Sequence, residues 1–499
     1  NFVDGVELNG GDAGIDVIGG SSGTFSFASD SSITNPTGVG LNVQNSNAVV
    51  AYSGDIANTS GRSVVISGNT GGSVVVSGDV TDTGDGILVE NNSGGTYTFT
   101  GTTDINSNGT DAALLVRNNT GGNLTVSGST TIQTAGAQTA VEINNNTVAG
   151  TTRLSNLDVT TDSGTGLLAT GVVSPATLEL TGLNNTFTTA TGVAVDMNNV
   201  RVGAQNVNIA SVTANGGVNA VVLQNITGGS VNIGGSSTTA GDGGVIQAMT
   251  GDAIVATNVA GLTLNGLEIT NTTGNALNLN HTGTAASTIA FTNSRITTAT
   301  GSGVLFSNTG SGLTRLTVTD NQISGTTGAG IDLDVNDTAG TTNLVIQDNN
   351  VNVTNAEALL LNAAGANAKT INLLAEGNML TTVGAASVAA DIIVDGSASL
   401  NATIQGNNEF RNTNPGGVTA FEVETLGSGK VHLNLNGNTA IASNGAVDDY
   451  FLTETAGELT VFQLLPPVVA PDESIEDVNN GTFNISAGVT HDATPVPTP

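Results

Sequence analysis

The chain has 499 residues, with 9 Lys and Arg against 41 Asp and Glu, for a formal charge of −32; nucleic acid and anionic lipid repel such a surface, so neither is expected as a partner. Cysteine is absent, which excludes disulfides, thiolate zinc sites and a catalytic thiol. Tryptophan is absent, and no run approaches the roughly 18 apolar residues of a membrane helix, so membrane insertion is not expected.

The chain begins at Asn1 without Met and without the charged-then-apolar pattern of an export signal. A processed or excised segment of a secreted protein is expected, located extracellularly or at a cell surface. Residues 1–12 hold Phe2-Val3 and Val6-x-Leu8, read as a short strand and glycine turn forming an N-terminal cap. Residues 13–465 then repeat one motif, Gly-x-(Gly/Ala)-apolar-x-apolar, a Gly- or Asn-rich turn, apolar-x-apolar, a polar stretch and a single apolar residue. The first apolar position is placed at Ile15, Val39, Val64, Ile87, Leu114, Val141, Leu167, Val193, Val221, Ile254, Leu277, Val304, Ile331, Leu359, Ala390, Ala420 and Phe451. That is 451 − 15 = 436 residues in 16 steps, a mean of about 27. The step from Val221 to Ile254 carries a Gly- and Ser-rich insertion at 234–244.

Two adjacent copies show the register. Val304 matches Ile331 and Phe306 matches Leu333, each 27 apart; Leu316 matches Leu344, Val318 matches Ile346, Asn321 matches Asn349 and Ile323 matches Val351, each 28 apart. Alternation with period two makes these strands rather than helices. Ala356-Glu-Ala-Leu-Leu-Leu-Asn362 tempts a helix assignment, but its neighbours in register argue for a strand. A propeller blade needs about 40 residues or more, whereas here three short strands recur once per repeat and must stack in parallel. The expected fold is all-β, a parallel β-helix solenoid of about 17 coils of about 27 residues with three strands each. Gly and Asn suit the left-handed turns. Asn185, Asn321, Asn349, Asn378, Asn408 and Asn438 precede the third strand and are expected to stack as a structural ladder rather than to bind sugar.

Beyond the last coil, residues 466–499 read as a Pro-rich acidic tail or linker, with Phe483-Asn-Ile485 as an isolated strand. Asp472, Glu473, Glu476 and Asp477 form its acidic patch, a weak candidate for calcium. No other cofactor is suggested, since neither the calcium β-roll nonapeptide nor an EF-hand loop occurs. Gly84-Asp-Gly86 and Gly241-Asp-Gly243 read as ordinary turns, and the Asn-x-Ser/Thr sequons at Asn58, Asn91, Asn108, Asn118, Asn225 and Asn271 follow from composition.

No catalytic constellation stands out. Asp332 and Asp334 lie at i and i+2, about 6.5–7 Å apart on one outward face, a spacing that could serve glycoside hydrolysis. Leu305 and Ser307 lie below them and Leu360 and Asn362 above, with no third acid or cation aligned. Lys369, Lys430 and seven arginines share no column that could hold an acidic polysaccharide. His281 is read in a turn, His432 within a strand and His491 in the tail, none beside an acid or nucleophile.

Repeats such as Gly86-Ile-Leu-Val-Glu-Asn-Asn-Ser-Gly-Gly95 and Thr191-Gly-Val-Ala-Val-Asp-Met-Asn198 resemble the bacterial surface-exposed right-handed β-helix repeat proteins, which include giant adhesins and autotransporter passengers. The resemblance covers about residues 13–465. It implies a right-handed coil acting as a non-enzymatic surface stalk or adhesive rod. A translocator barrel, part of the autotransporter pattern, is lacking. The expected partners are the chain itself, joined end to end or by strand exchange, or other surface proteins and glycans. The alternative is a β-helix that binds or cleaves polysaccharide.

Overall fold

Alternation builds each strand. In Val304–Asn308 and Ile331–Val335 every second side chain is buried and those between are partly exposed, as expected where successive residues point to opposite faces. The computed structural model describes residues 2, 4–336, 339–462 and 478–492. Among the described residues there is no helix, and the chain is an all-β parallel solenoid of about 17 turns of about 27 residues. It divides into two compact units, Asn1–Gly235 and Ser236–Pro499. The boundary falls in the Gly- and Ser-rich insertion.

In the second unit, one turn is Val304–Asn308, Thr314–Thr319 and Gln322–Ser324; the next is Ile331–Val335, Gly340–Gln347 and Asn350–Val353. Equivalent strands pair in parallel. Val304 lies on Ile331, Phe306 on Leu333, Leu316 on Leu344, Val318 on Ile346 and Ile323 on Val351. All ten side chains are at most 1 % exposed, so the repeat spacing fixes the core directly. The stretch that tempted a helix assignment contributes the strand Leu359–Ala363.

The first-strand column of the first unit runs Ile15, Leu41, Val64, Ile87, Leu114, Val141, Leu167, Val195 and Val221. In the second unit it runs Ile254, Leu277, Val304, Ile331, Leu359, Ala390, Phe421, Tyr450 and Phe483. Four sequence placements are thereby corrected. Val39 gives way to Leu41 and Val193 to Val195, two residues on. In Gly-Val-Gly and Gly-Val-Ala the apolar residue on either side of the small one satisfies the alternation, and burial selects the second. Ala420 gives way to Phe421 and Phe451 to Tyr450. A one-residue slip exchanges faces: Tyr450 is buried and Phe451 points outward. Ala420 itself is the buried small residue that precedes the column, as Ala194 and Ala220 do in other turns.

Each unit bends at a column of left-handed residues. In the first unit they follow the first strand: Asn45, Gly68, Asn91, Asn118, Asn145 and Gly171 all have φ between 51° and 67°. In the second they follow the second strand: Gly266, Asn293, Asp320, Asp348, Gly377, Asn407 and Gly437. Asn, Asp and Gly are the residues that enter this region at low steric cost. At Gly377 a second reason applies, since a Cβ there would collide with Asp348 Oδ1.

Aromatic rings gather at the first and last described turns. Phe2 bridges to Phe27 and stacks on it at 4.7 Å, above the Phe27–Tyr52 contact. Glu7–Asn9 pairs with Ser32–Thr34. Residues 478–492, read from the sequence as tail, form a further turn. Phe483–Ile485 pairs with Tyr450–Leu452 and Thr490–Asp492 with Thr460–Phe462, so Phe483 is not isolated. Its ring stacks on Tyr450 at 4.1 Å, and Tyr450 meets Phe421 at 5.6 Å.

Candidate functional site

The residue after each left-handed position points inward, and there the asparagines stack. Nδ2 of Asn321 donates to Oδ1 of Asn349 at 3.0 Å, Asn349 to Asn378 at 3.0 Å, Asn378 to Asn408 at 2.9 Å, and Asn408 to Asn438 at 2.8 Å. The Asn349, Asn378 and Asn408 oxygens also accept the backbone N–H of the preceding ladder residue. Each Nδ2 donates to a core carbonyl as well, as Asn349 does to Val318 at 2.8 Å. The column therefore spends its polar atoms on turn backbone that would otherwise be buried unpaired. Two members escaped the sequence reading. Ser294 takes the position below Asn321, and Asn479 continues the column above Asn438 at 3.0 Å. Asn185 stands apart, accepting from the Leu157 N–H and donating to Thr181 and Asn208 carbonyls.

A second ladder runs through the first unit at the other turn. Asn69, Asn92, Asn119 and Asn146 each accept the backbone N–H of the preceding position, Ser46 standing first. The signal was present in the pairs Asn91-Asn92, Asn118-Asn119 and Asn145-Asn146. Their first members bend the chain and their second members stack. Asn58, another sequon, is buried and donates to the Gly38 and Arg62 carbonyls.

The nine cations are largely consumed by the chain. Arg62 pairs with Asp111, Arg117 with Glu90, Arg153 with Glu179, Arg295 with Glu268, Arg411 with Glu409 and Lys430 with Glu458. Arg201 donates to the Pro175 carbonyl at 3.3 Å. Arg315 faces outward between Thr288 and Asn343. Lys369 is 1 % exposed and donates to the Asn308 and Gly310 carbonyls at 3.2 and 2.8 Å; burial lowers its pKa to about 8. Asp82, also fully buried, accepts from Ser63 N–H and Oγ–H and from the Gly84 and Gly86 N–H groups. Burial nevertheless raises its pKa against those donors.

The histidines are placed differently from the reading. His281 ends the strand Leu277–His281 and is buried rather than lying in a turn; burial, helped by the charge of Lys369, lowers its pKa. His432 does adjoin an acid, with Nε2 3.9 Å from Glu458 Oε1 and Nδ1 3.0 Å from Asn401 Oδ1. His491 lies in the strand Thr490–Asp492.

Asp332 and Asp334 have the expected neighbours, Leu305 and Ser307 on one side and Leu360 and Asn362 on the other. The absence of any further aligned acid is corrected. Asp391 and Glu422 occupy the Asp332 column two and three turns on, and Glu424 occupies that of Asp334. Burial, then repulsion from Glu422, Glu357 and Glu424, pushes the Asp391 carboxyl up to about 7. Burial also raises Asp332, with Asp334 adding to it, and burial raises Glu422, with Glu424 adding to it. The stripe ends at a surface hollow of about 340 Å³ lined by Glu422, Phe451 and Asn484 on the strands and Thr419, Val447 and Asp448 beside them.

Asp472, Glu473, Glu476 and Asp477 lie outside the described residues. Among the described residues no group of three or more His, Asp or Glu has an arrangement that could hold a metal ion. Asp242 instead accepts from Ser237 Oγ at 2.6 Å. No family model, curated protein or solved structure matches this chain.

Proposed function

We propose that this chain is a non-catalytic structural protein, the β-solenoid rod of an extracellular adhesin, fibre or sheath of the kind found on bacterial surfaces. One observation carries the reading: its functional groups are turned on the chain itself. Six of the nine cations face carboxylates and a seventh is buried on backbone carbonyls. The inward asparagines close turns in both units. What remains outward is mainly Thr, Asn, Ser and acid, which keeps a repetitive surface solvated. Aromatic rings at the first and last described turns favour a contact with further copies or with other surface proteins.

The test combines imaging with an activity screen. Electron microscopy of the purified chain should show slender particles or filaments, and incubation with neutral and acidic polysaccharides should release no reducing ends. Release that is lost in Glu422→Gln or in Asp332→Asn would overturn the reading in favour of a polysaccharide-cleaving solenoid. The acid stripe and its hollow favour one element of that alternative, binding without cleavage.

A further inference from the structure

Glu422, Phe451 and Asn484 form one outward column, a residue from each of three successive turns. Two connecting loops flank it, and both are tied down. Thr419 Oγ1 donates to the Asp448 and Asp449 carbonyls at 2.6 and 2.9 Å, Asn444 Nδ2 to the Gly417 carbonyl at 2.8 Å, and the Ala442 N–H to Asp449 Oδ1 at 2.6 Å. Together they shape the hollow of about 340 Å³, a volume at the low end for small-molecule sites. Loops held by their own hydrogen bonds keep that shape without a ligand, which lowers the entropic cost of binding.

The contents of the hollow define what fits. Phe451 is the one aromatic in an outward column that otherwise holds Asn278, Leu305, Asp332, Leu360, Asp391 and Glu422 before it. It is partly exposed, a position where solubility gives no reason for a phenyl ring. An aromatic face carries negative potential and attracts polarised C–H groups. Around it stand the Glu422 and Asp448 carboxylates and the Asn484 amide, all able to bond hydroxyls. A pyranose ring offers that combination, an apolar C–H face and a rim of hydroxyls. No Lys or Arg lines the hollow, and Asp391 and Glu424 lie next to Glu422 in register or on the same strand. Uronic, sialic and sulfated sugars are therefore repelled. We propose that this hollow binds one neutral hexopyranose unit of a glycan, with Phe451 under the ring and Glu422, Asp448 and Asn484 at its hydroxyls. This goes beyond the structural role and does not depend on it.

Saturation-transfer difference NMR on the intact chain tests the assignment, with cellotetraose, mannotetraose and galactotetraose as neutral probes and trigalacturonate as the anionic one. At least one neutral probe should receive magnetisation, and trigalacturonate none. Phe451→Ala and Glu422→Gln should each weaken that binding by about tenfold or more, with circular dichroism unchanged and Glu422→Gln melting no lower than the parent. Glu422→Gln keeps the size of the side chain, so it decides the matter even if the ring substitution perturbs the turn. No transfer to any neutral probe at millimolar concentration, transfer to trigalacturonate, or undiminished binding by Glu422→Gln overturns the proposal. The structural reading fails by a different readout, new reducing ends.

Discussion

Replacing Asn349 with Ala removes four hydrogen bonds at once. Its Nδ2 donates to the Val318 carbonyl at 2.8 Å and to Asn378 Oδ1 at 3.0 Å, and its Oδ1 accepts the Asn321 backbone N–H at 3.1 Å and Asn321 Nδ2 at 3.0 Å. The side chain is 1 % exposed, so water cannot substitute without opening the turn. Two of the four partners keep other bonds: Asn378 Oδ1 retains the Asn349 N–H, and Asn321 Nδ2 retains the Phe291 carbonyl. The loss is dominated by one backbone group, the Asn321 N–H, because the Val318 carbonyl keeps its ladder bond to the paired strand Gly340–Gln347. At about 1–3 kcal/mol for a buried group left unpaired, plus the bonds themselves, the expected cost is about 2–4 kcal/mol. For the unit Ser236–Pro499 that corresponds to a melting point lower by about 4–7 °C. The local signature is exchange of the Asn321 amide faster by about a hundredfold or more. Asn349→Ser should lose about half as much, because Ser294 already fills a ladder position, accepting from the Leu267 N–H at 2.9 Å and donating to the Thr292 carbonyl at 2.8 Å. Melting by circular dichroism with hydrogen exchange read by mass spectrometry measures both. An Ala variant that melts within about 2 °C of the parent, with Asn321 exchange unchanged, refutes the reasoning.

Val318→Asp places a carboxylate among side chains that are fully buried; a loss of at least several kcal/mol is expected by urea unfolding, and a midpoint equal to the parent's would disprove the register. Asp391 sits at about 7 against an ordinary 3.8, so the fold binds its proton more tightly than the unfolded chain does. Stability should therefore fall as pH rises from about 4 to 7, by about 1–2 kcal/mol once solvent access is discounted. Asp391→Asn should reduce that slope, to which the raised Asp82, Asp332 and Glu422 also contribute, and melt higher at pH 8, and a slope unchanged in the variant contradicts the assignment. Lys369 runs the other way. Its pKa falls from 10.5 to about 8, so the unfolded chain holds the proton more tightly and stability should rise from about pH 8 to 10. Lys369→Met should flatten that rise, and an intact rise in the variant would assign it elsewhere.

The fold was legible because its rule is local and repeated. Val304, Phe306, Leu316, Val318 and Ile323 each find a partner one repeat on, so spacing alone gave strand, register and burial together. Where two phases satisfied the alternation, as around Val39 and Val193, the sequence held no further discriminator. What stayed hidden needed more than one step of the repeat. Asp391 belongs with Asp332, but Leu360 stands between them in the column, and a search of adjacent turns stops there. The first-unit ladder was concealed because most of its members follow a left-handed Asn, and Asn pairs before Ser or Thr read more readily as sequons. His281 and Lys369 show the remaining gap: nothing in their local pattern says that one faces inward at a strand end and the other reaches carbonyls 59 and 61 residues back.

The last described turn changes what a shortened chain can reveal about assembly. Asn479 lies 41 residues beyond Asn438, whereas the steps from Asn321 to Asn438 are 28 to 30, so no spacing argument reaches it. Yet it accepts the Asn438 N–H at 3.0 Å and returns its own Nδ2 to the Leu435 carbonyl at 2.9 Å. Phe483 meanwhile covers the Tyr450 ring. Removing residues 466–499 would strip both contacts, leaving the Tyr450 ring uncovered and the Asn438 N–H and the Leu435 carbonyl without these partners. Loss of filaments in that deletion would then follow from a frayed solenoid end as readily as from a lost linking segment. A deletion confined to 493–499 leaves Asn479 and Phe483 in place. Filaments that survive the short deletion show that residues 493–499 are not the linking segment, and filaments lost with it show that those residues are needed for self-association while the Phe483–Ile485 turn stays in place.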